Sequence, residues 1–329
     1  MNRPSRRSAL GALLALACGA LVPRALAQGS GGYPSKPIRL IVPFPPGAGT
    51  DTIARFVAQR LAETMRTTIV IENKTGAGGA IGTVEAAKAD ADGYTLLFVA
   101  SPFTTVAAAS RAPAYDPLKQ FTPVAPIAAG PLAFVVHPDV PAATMREFIA
   151  LARERPGTLN YGSAGTGSVN HLALELLKAR TGTDIVHVPY RGIADATKDL
   201  LGGQIQAMTA SIPATLPQLA EKRVRVLAVT GAKRVALLPD VPSWQEQGVA
   251  NANVINYWGI VAPAGTPPEV VARLSTDIQH VLAQPDVRER LEREGAELIP
   301  GGPERLGALI AADLSAWRKL IAEAKLNLD

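Results

Sequence analysis

Strand-like and helix-like segments alternate along nearly the whole chain, and this rhythm constrains the fold more than any other feature. Short runs rich in Ile, Val and Leu at 38–42, 68–72, 95–100, 132–137, 159–162, 185–188, 204–208, 224–230 and 254–262 read as strands. Apolar residues recur at helical spacing over 52–65, 80–89, 145–154, 169–181, 195–201 and 214–221. Three further helical stretches, 268–283, 286–294 and 303–325, close the chain. Strands alternating with helices predict an α/β protein with mainly parallel sheets flanked by helices. The rhythm lapses twice, at 123–131 and at 239–256. Read as two crossings between domains, these lapses predict a discontinuous first domain (33–128 plus 255–329), a second domain (129–254) and a ligand cleft between them.

Residues 1–27 stand outside this pattern. Arg3, Arg6 and Arg7 precede an uncharged run from Ser8 to Pro23, and Ala25-Leu26-Ala27 offers a small-x-small cleavage site. The segment reads as a secretory signal peptide cleaved after Ala27. A spanning helix needs about 20 apolar residues, and this run is shorter and is broken by Gly11 and Gly19. "SRRSAL" (5–10) also resembles a twin-arginine signal, so the Sec and twin-arginine routes both stay open, and the expected destination is the periplasm.

Charge and cysteine content then narrow the partners. Loss of Arg3, Arg6, Arg7 and Arg24 lowers Lys plus Arg from 33 to 29 against 28 acids, so a whole-chain charge of +5 becomes about +1. A near-neutral surface gives no reason to expect nucleic acid or an acidic membrane as partner. Cys18, the chain's one cysteine, leaves with the leader. Disulfides, thiol nucleophiles and cysteine-ligated metals are thereby excluded from the mature chain.

Two loops carry the chemistry. In "VPFPPGAGTDTIAR" (42–55) a strand breaks at Pro45-Pro46, passes through Gly47-Ala48-Gly49 and enters a helix. "NYGSAGTGSVNHLALELL" (160–177) repeats the plan in the second predicted domain. Such turns present backbone N–H groups at a helix N-terminus, where the dipole also favours an anion. A third glycine cluster, "TGAGGAIG" (75–82), lacks the dinucleotide spacing, and no phosphate-binding G-x-x-x-x-G-K-[ST] occurs. No nucleotide or other cofactor is implied. The aromatic residues Phe44, Tyr190, Tyr257 and Trp258 lie at strand ends or in the turns that follow, where open α/β sheets bind ligands.

Catalysis is the competing reading, since Ser168 and His171 share one helix face. A serine esterase, however, needs an oriented base and an exposed nucleophile, and no G-x-S-x-G elbow is present. Ser168 reads better as a helix cap with His171 bonding locally. His137, His187 and His280 are scattered and without metal-ligand spacing, so no catalytic or metal site is expected.

Seven ordered motifs, "YPSKPIRLIVPFPPGAGTDTIAR", "ENKTGAGGAIGTVEAAKADADGYTLL", "YGSAGTGSVNHLALELL", "HVPYRG", "DLLGGQIQ", "LAVTGAKRVALLPDVPSWQEQG" and "YWGIVAPAGTPPEVVARL", cover the chain after the leader. Together they resemble the Bug (TctC-type) periplasmic binding proteins of tripartite tricarboxylate transporters. The resemblance implies a two-domain Venus-flytrap fold that closes on a small carboxylate and delivers it to a membrane permease. It implies a ligand held by backbone amides and small hydroxyls at Gly47, Ala48, Gly49, Thr50 and Asp51 and at Ser163, Ala164, Gly165, Thr166 and Ser168, with Phe44, Tyr190, Ala210 and Trp258 around it. Asp51 is expected to cap its helix or orient water. Relatives usually carry an Asp where this chain has Ala210, so the expected ligand is a carboxylate with an apolar or aromatic remainder near Tyr190 and Trp258. A ligand sensor for a signalling partner would look the same in sequence.

Overall fold

The computed structural model describes residues 32–47, 49–249, 252–326 and 328. The leader expected at 1–27 and the site candidate Ala48 lie outside the described residues. The described residues from Lys36 onward pack as one compact unit.

The chain begins as the sequence predicts. Strand β1 (Ile38–Val42) lies parallel to β2 (Ile69–Asn73) on one side and to β3 (Thr95–Ala100) on the other. Helices α1 (Gly49–Met65) and α2 (Ala80–Ala87) make the two crossovers, and α3 (Pro102–Ala109) follows β3. The strand β4 (Phe121–Val136) then runs for 16 residues. After it come α4 (Met145–Glu154), β5 (Asn160–Ser163), α5 (Val169–Thr181), β6 (Val186–Pro189), α6 (Ile193–Leu201), β7 (Ala207–Ser211), α7 (Ile212–Ala220) and β8 (Arg225–Val229). The chain finishes with β9 (Ile255–Pro263), α8 (Pro268–Leu282), α9 (Pro285–Arg293), β10 (Glu297–Leu298) and α10 (Pro303–Glu323).

The strands form one sheet in the order β2-β1-β3-β9-β4-β7-β5-β6, with β8 and β10 pairing β4 off this path. Its two ends are parallel, but the middle is not: β3, β9, β4 and β7 are successive antiparallel neighbours. Strand β4 changes company along its length. Residues 121–131 pair with β9, and Leu132–Val136 pair with β7 and β8.

The passage at 123–131, expected as a crossing between domains, is a strand. Its prolines explain its shape and why no strand is read there from the sequence. Proline lacks an N–H and suits a bulge better than a regular ladder, and the β4–β9 register shifts between Pro123 and Ala125 and again between Pro126 and Ala128. At Gly130 the backbone of Gly295 comes so close that an added Cβ would lie 2.3 Å from its carbonyl oxygen. Only glycine admits β10 there.

Candidate functional site

The first loop joins β1 to α1, and its shape is fixed from within by Asp51. This carboxylate, 1% exposed, accepts the Gly47 amide at 2.9 Å and Arg55 Nε at 2.8 Å on Oδ2, and Asn73 Nδ2 at 2.7 Å on Oδ1. Asn73, at the end of β2, also donates to the Phe44 carbonyl at 2.9 Å and accepts Arg55 Nη2 on Oδ1 at 2.8 Å. Burial pushes the Asp51 carboxyl up, but Arg55, Asn73 and the Gly47 amide outweigh it and leave the group below its usual range. Asp51 is fully engaged by the protein. Gly47, at φ 79, makes the turn that brings its amide to Asp51.

Gly47 and Gly49 are exposed, Phe44 and Thr50 half-buried. Gly49 and Thr50 open α1, where the first amides have no intrahelical acceptor. The Thr50 hydroxyl accepts Trp258 Nε1 at 3.2 Å. Trp258 stands on β9 opposite Ala100 of β3 and Ala128 of β4, so sheet pairing places the indole beside the loop.

The second loop joins β5 to α5 and is held without any charge of its own. The buried Ser163 hydroxyl accepts the Gly165 amide at 3.1 Å, contacts the Gly165 carbonyl at 3.2 Å and meets His187 Nε2 at 2.6 Å. The Gly167 amide donates to His171 Nδ1 at 3.1 Å. Ser168 caps α5 by accepting the His171 amide at 3.3 Å, as the sequence reading expects. Gly165 and Gly167 both have positive φ, 108° and 77°. The amides of Ala164 and Thr166 have no acceptor among the described residues.

His187 corrects the view of scattered histidines. Parallel pairing sets it opposite Tyr161 on β5, and α5 returns His171 over the same strand. The His171 and His187 rings stack at 3.9 Å between centroids, with Tyr161 stacked on His187 at 4.9 Å. Burial lowers both imidazole pKa values, that of His187 to about 3, with His171 and Lys178 pushing it the same way. Nothing in the sequence spacing announced the pair, because a sheet contact and a helix return bring it together.

Two more candidates behave differently from their expected roles. The Tyr190 hydroxyl donates to Asp199 at 2.7 Å, and burial together with that carboxylate pushes the phenol up to about 12. Its backbone is what meets the second loop: the Tyr190 amide donates to the Ser163 carbonyl at 3.2 Å. Ala210 lies on β7 opposite Ala133, 8% exposed, among Val135, Met208 and other apolar side chains. Asn73, Arg55 and His187 were not among the candidates, yet they shape the two loops.

Helix α3 links the two groups. It starts at Ser101, whose hydroxyl donates to Ile255 O and accepts the Tyr257 amide, each at 3.1 Å, beside Trp258. It ends at Ala109, whose Cβ lies 2.9 Å from where a Cβ on Gly167 would stand. Shallow surface depressions occur elsewhere. One of about 450 Å³ is lined by Pro46, Gly47, Arg55 and Arg290 on the outer side of the first loop. A depression walled by one loop and the chains of Arg55 and Arg290 lacks the convergent donors of a binding site, so the loops themselves are the better candidate.

Among the described residues no exposed nucleophile is paired with a base in the manner of an esterase. Ser168 is spent on its cap and the His171 ring on Gly167. The Ser163–His187 pair is shut behind the loop, with Ser163 0% exposed.

The family model for the tripartite tricarboxylate transporter family receptor matches residues 53–326. The chain belongs to this receptor family. Among solved structures, that of Rpa4515 from R. palustris with adipate is 35% identical, with a TM-score of 0.82 over 89% of this chain and 99% of the other. The periplasmic binding protein BugD is 34% identical, with a TM-score of 0.79 over 89% and 99%. MatC (Rpa3494) from Rhodopseudomonas palustris with bound malate is 32% identical, with a TM-score of 0.79 over 88% and 100%. Receptors of this family are periplasmic solute-binding proteins, not enzymes.

Proposed function

We propose that this receptor captures a small carboxylate between its two glycine-rich loops and hands it to the membrane permease of a tripartite tricarboxylate transporter. The observation that carries the reading is the state of the donors. Each loop has some amides turned inward, that of Gly47 onto Asp51 in one case and those of Gly165 and Gly167 onto Ser163 and His171 in the other, which leaves amides of Gly49, Thr50, Ala164 and Thr166 for an outside acceptor. The cation nearest the first loop, Arg55, is held by Asp51 and Asn73. A carboxylate is the acceptor such a site suits, and hydrogen bonds to a charged group contribute about 1.5–3 kcal/mol each. Four to six of them offset the cost of association and leave roughly the 8 kcal/mol of a micromolar complex. The neighbours solved with adipate and malate support the same ligand class.

In this reading residues 33–128 plus 255–329 and residues 129–254 act as two lobes that close on the ligand, with β4 and β9 as the crossing strands. Closure follows binding because the ligand gains its second set of amides only in the closed form. The leader at 1–27 exports the protein to the periplasm. Ala210 offers no acceptor to an amino or hydroxyl group, so an unsubstituted dicarboxylate of the adipate type is preferred over aspartate or malate.

The test is a thermal-shift screen of unfolded and refolded protein against adipate, malate, aspartate and benzoate. A ligand at 100 times its dissociation constant stabilises by about 2.7 kcal/mol. A rise with adipate that exceeds the rise with aspartate supports the reading. No rise with any of the four acids defeats it.

A further inference from the structure

The second loop has a property that the ligand reading alone does not require: its amides alternate between bonded and unbonded among the described residues. Those of Gly165 and Gly167 turn inward, to Ser163 Oγ at 3.1 Å and to His171 Nδ1 at 3.1 Å, while those of Ala164 and Thr166 have no partner among the described residues. The two inward anchors share one support. Ser163 Oγ meets His187 Nε2 at 2.6 Å, and the His187 ring lies on the His171 ring at 3.9 Å and 15° between planes.

The hydrogen bonds fix the protons. Gly167 donates to His171 Nδ1, so that nitrogen carries none and the ring is the neutral Nε2–H form. A serine hydroxyl has one proton and two lone pairs. All three contacts of Ser163 are satisfied when His187 and the Gly165 amide donate to it and its own proton goes to the Gly165 carbonyl. The groups facing the pair are Tyr161 on β5 and Glu175 and Lys178 on α5. Tyr161 donates to Glu175 at 2.7 Å, and Lys178 pairs with the same carboxylate oxygen at 2.7 Å. Lys178 answers the carboxylate, so Glu175 is not left to hold a proton on the imidazoles.

We propose that His171 and His187 are positioning residues for ligand capture: by drawing the Gly165 and Gly167 amides inward, they turn the Ala164 and Thr166 amides toward the ligand. The consequence for affinity rests on the carboxylate reading, whereas the effect on the loop does not. An asparagine at 171 can set its Oδ1 near the place of Nδ1 and accept the Gly167 amide without taking up a proton. A leucine cannot.

Two measurements on the full-length mature protein separate the cases. The first is amide hydrogen exchange over 163–168 in refolded, ligand-free protein. His171→Leu should speed exchange at Gly167 about tenfold, the scale of one lost buried hydrogen bond, while His171→Asn stays within about threefold of wild type. Equal protection in the leucine variant overturns the proposal whatever the ligand. The second is calorimetric titration with adipate and malate. His171→Leu should weaken adipate binding about tenfold at pH 7.5, with His171→Asn near wild type. As pH falls through the lowered folded pKa of His171, the ratio of wild-type to His171→Asn affinity should fall, because only wild type can be protonated at position 171. Equal weakening by the Asn and Leu variants would assign the ring a packing role and sink the positioning claim. Failure of wild type to bind either acid strikes the ligand reading and leaves the exchange data to decide the histidines.

Discussion

The two glycine-rich loops share a plan, strand then turn then helix, and differ in what stands behind them. The first is anchored by ions: Asp51 gathers Gly47, Arg55 and Asn73 on one carboxylate. The second is anchored by neutral groups: a serine hydroxyl and two stacked imidazoles. A backbone-donor site needs its amides free and its turn rigid, and either chemistry delivers both. The difference appears in how each loop fails. An ionic anchor is lost by removing the charge, and a neutral imidazole anchor is lost by adding one.

The largest expected effect comes from emptying the ionic anchor. Asp51→Ala takes the acceptor from the Gly47 amide and Arg55 Nε and leaves Asn73 Nδ2 with the Phe44 carbonyl alone, which should cost about 3 kcal/mol of unfolding free energy. Urea denaturation reads it. A loss below about 1 kcal/mol would show that water replaces the carboxylate and that the first loop is no more than a connection.

Acid should separate the loops next. The two histidines have folded pKa values below the unfolded 6.5, so the unfolded chain takes up protons first. Their contribution is complete above pH 6.5 and declines as pH falls through the folded value, about 3 for His187. One such group loses up to about 1.4 kcal/mol per pH unit, or about 2 kcal/mol between pH 6.5 and 5. Asp51 follows the same sign lower down, since its depressed pKa holds its contribution until pH falls below the unfolded 3.8. Denaturation at a series of pH values should therefore show a slope between 6.5 and 5 that a His171→Asn, His187→Gln double variant flattens. If the variant keeps the slope, the pair is not what titrates. Ser163→Ala is milder, about 1–2 kcal/mol, because it removes one neutral hydroxyl from the second loop. Urea denaturation would again read it, and a cost equal to that of Asp51→Ala would erase the distinction between the anchors.

How much of this was legible in sequence follows from where each signal lives. The glycine turns, the cap at Ser168 and the strand of residues 38–42 are local, so composition and spacing revealed them. The first part of the strand Phe121–Val136, residues 121–131, was not, since Pro123, Pro126 and Pro131 read as loop until the bulges that accommodate two of them are seen, whereas its second part was expected at 132–137. Helix α3, "PFTTVAAA", is apolar almost all round and has no periodic face to read. His171 and His187 lie 16 positions apart, and only the β5–β6 register with the return of α5 makes them neighbours. The same holds for Asp51 and Asn73. A loop's glycines are written in sequence, and the groups that hold the loop are written in topology.

The smallest expected effect probes the edge of the first loop. Trp258→Phe removes the Nε1 donor to Thr50 and leaves most of the ring, so stability should fall by less than about 1 kcal/mol, the net worth of a neutral hydrogen bond. Its value lies in the emission. The chain has three tryptophans; Trp244 is fully buried and Trp317 is 5% exposed on α10. Trp258 is the tryptophan bonded to a glycine loop, through Thr50 beside the candidate amides. Adipate should change the fluorescence of wild type and leave that of Trp258→Phe nearly unchanged, although the variant still binds by calorimetry. A ligand signal that persists in the variant would place the responsive indole away from the first loop and move the site toward the second.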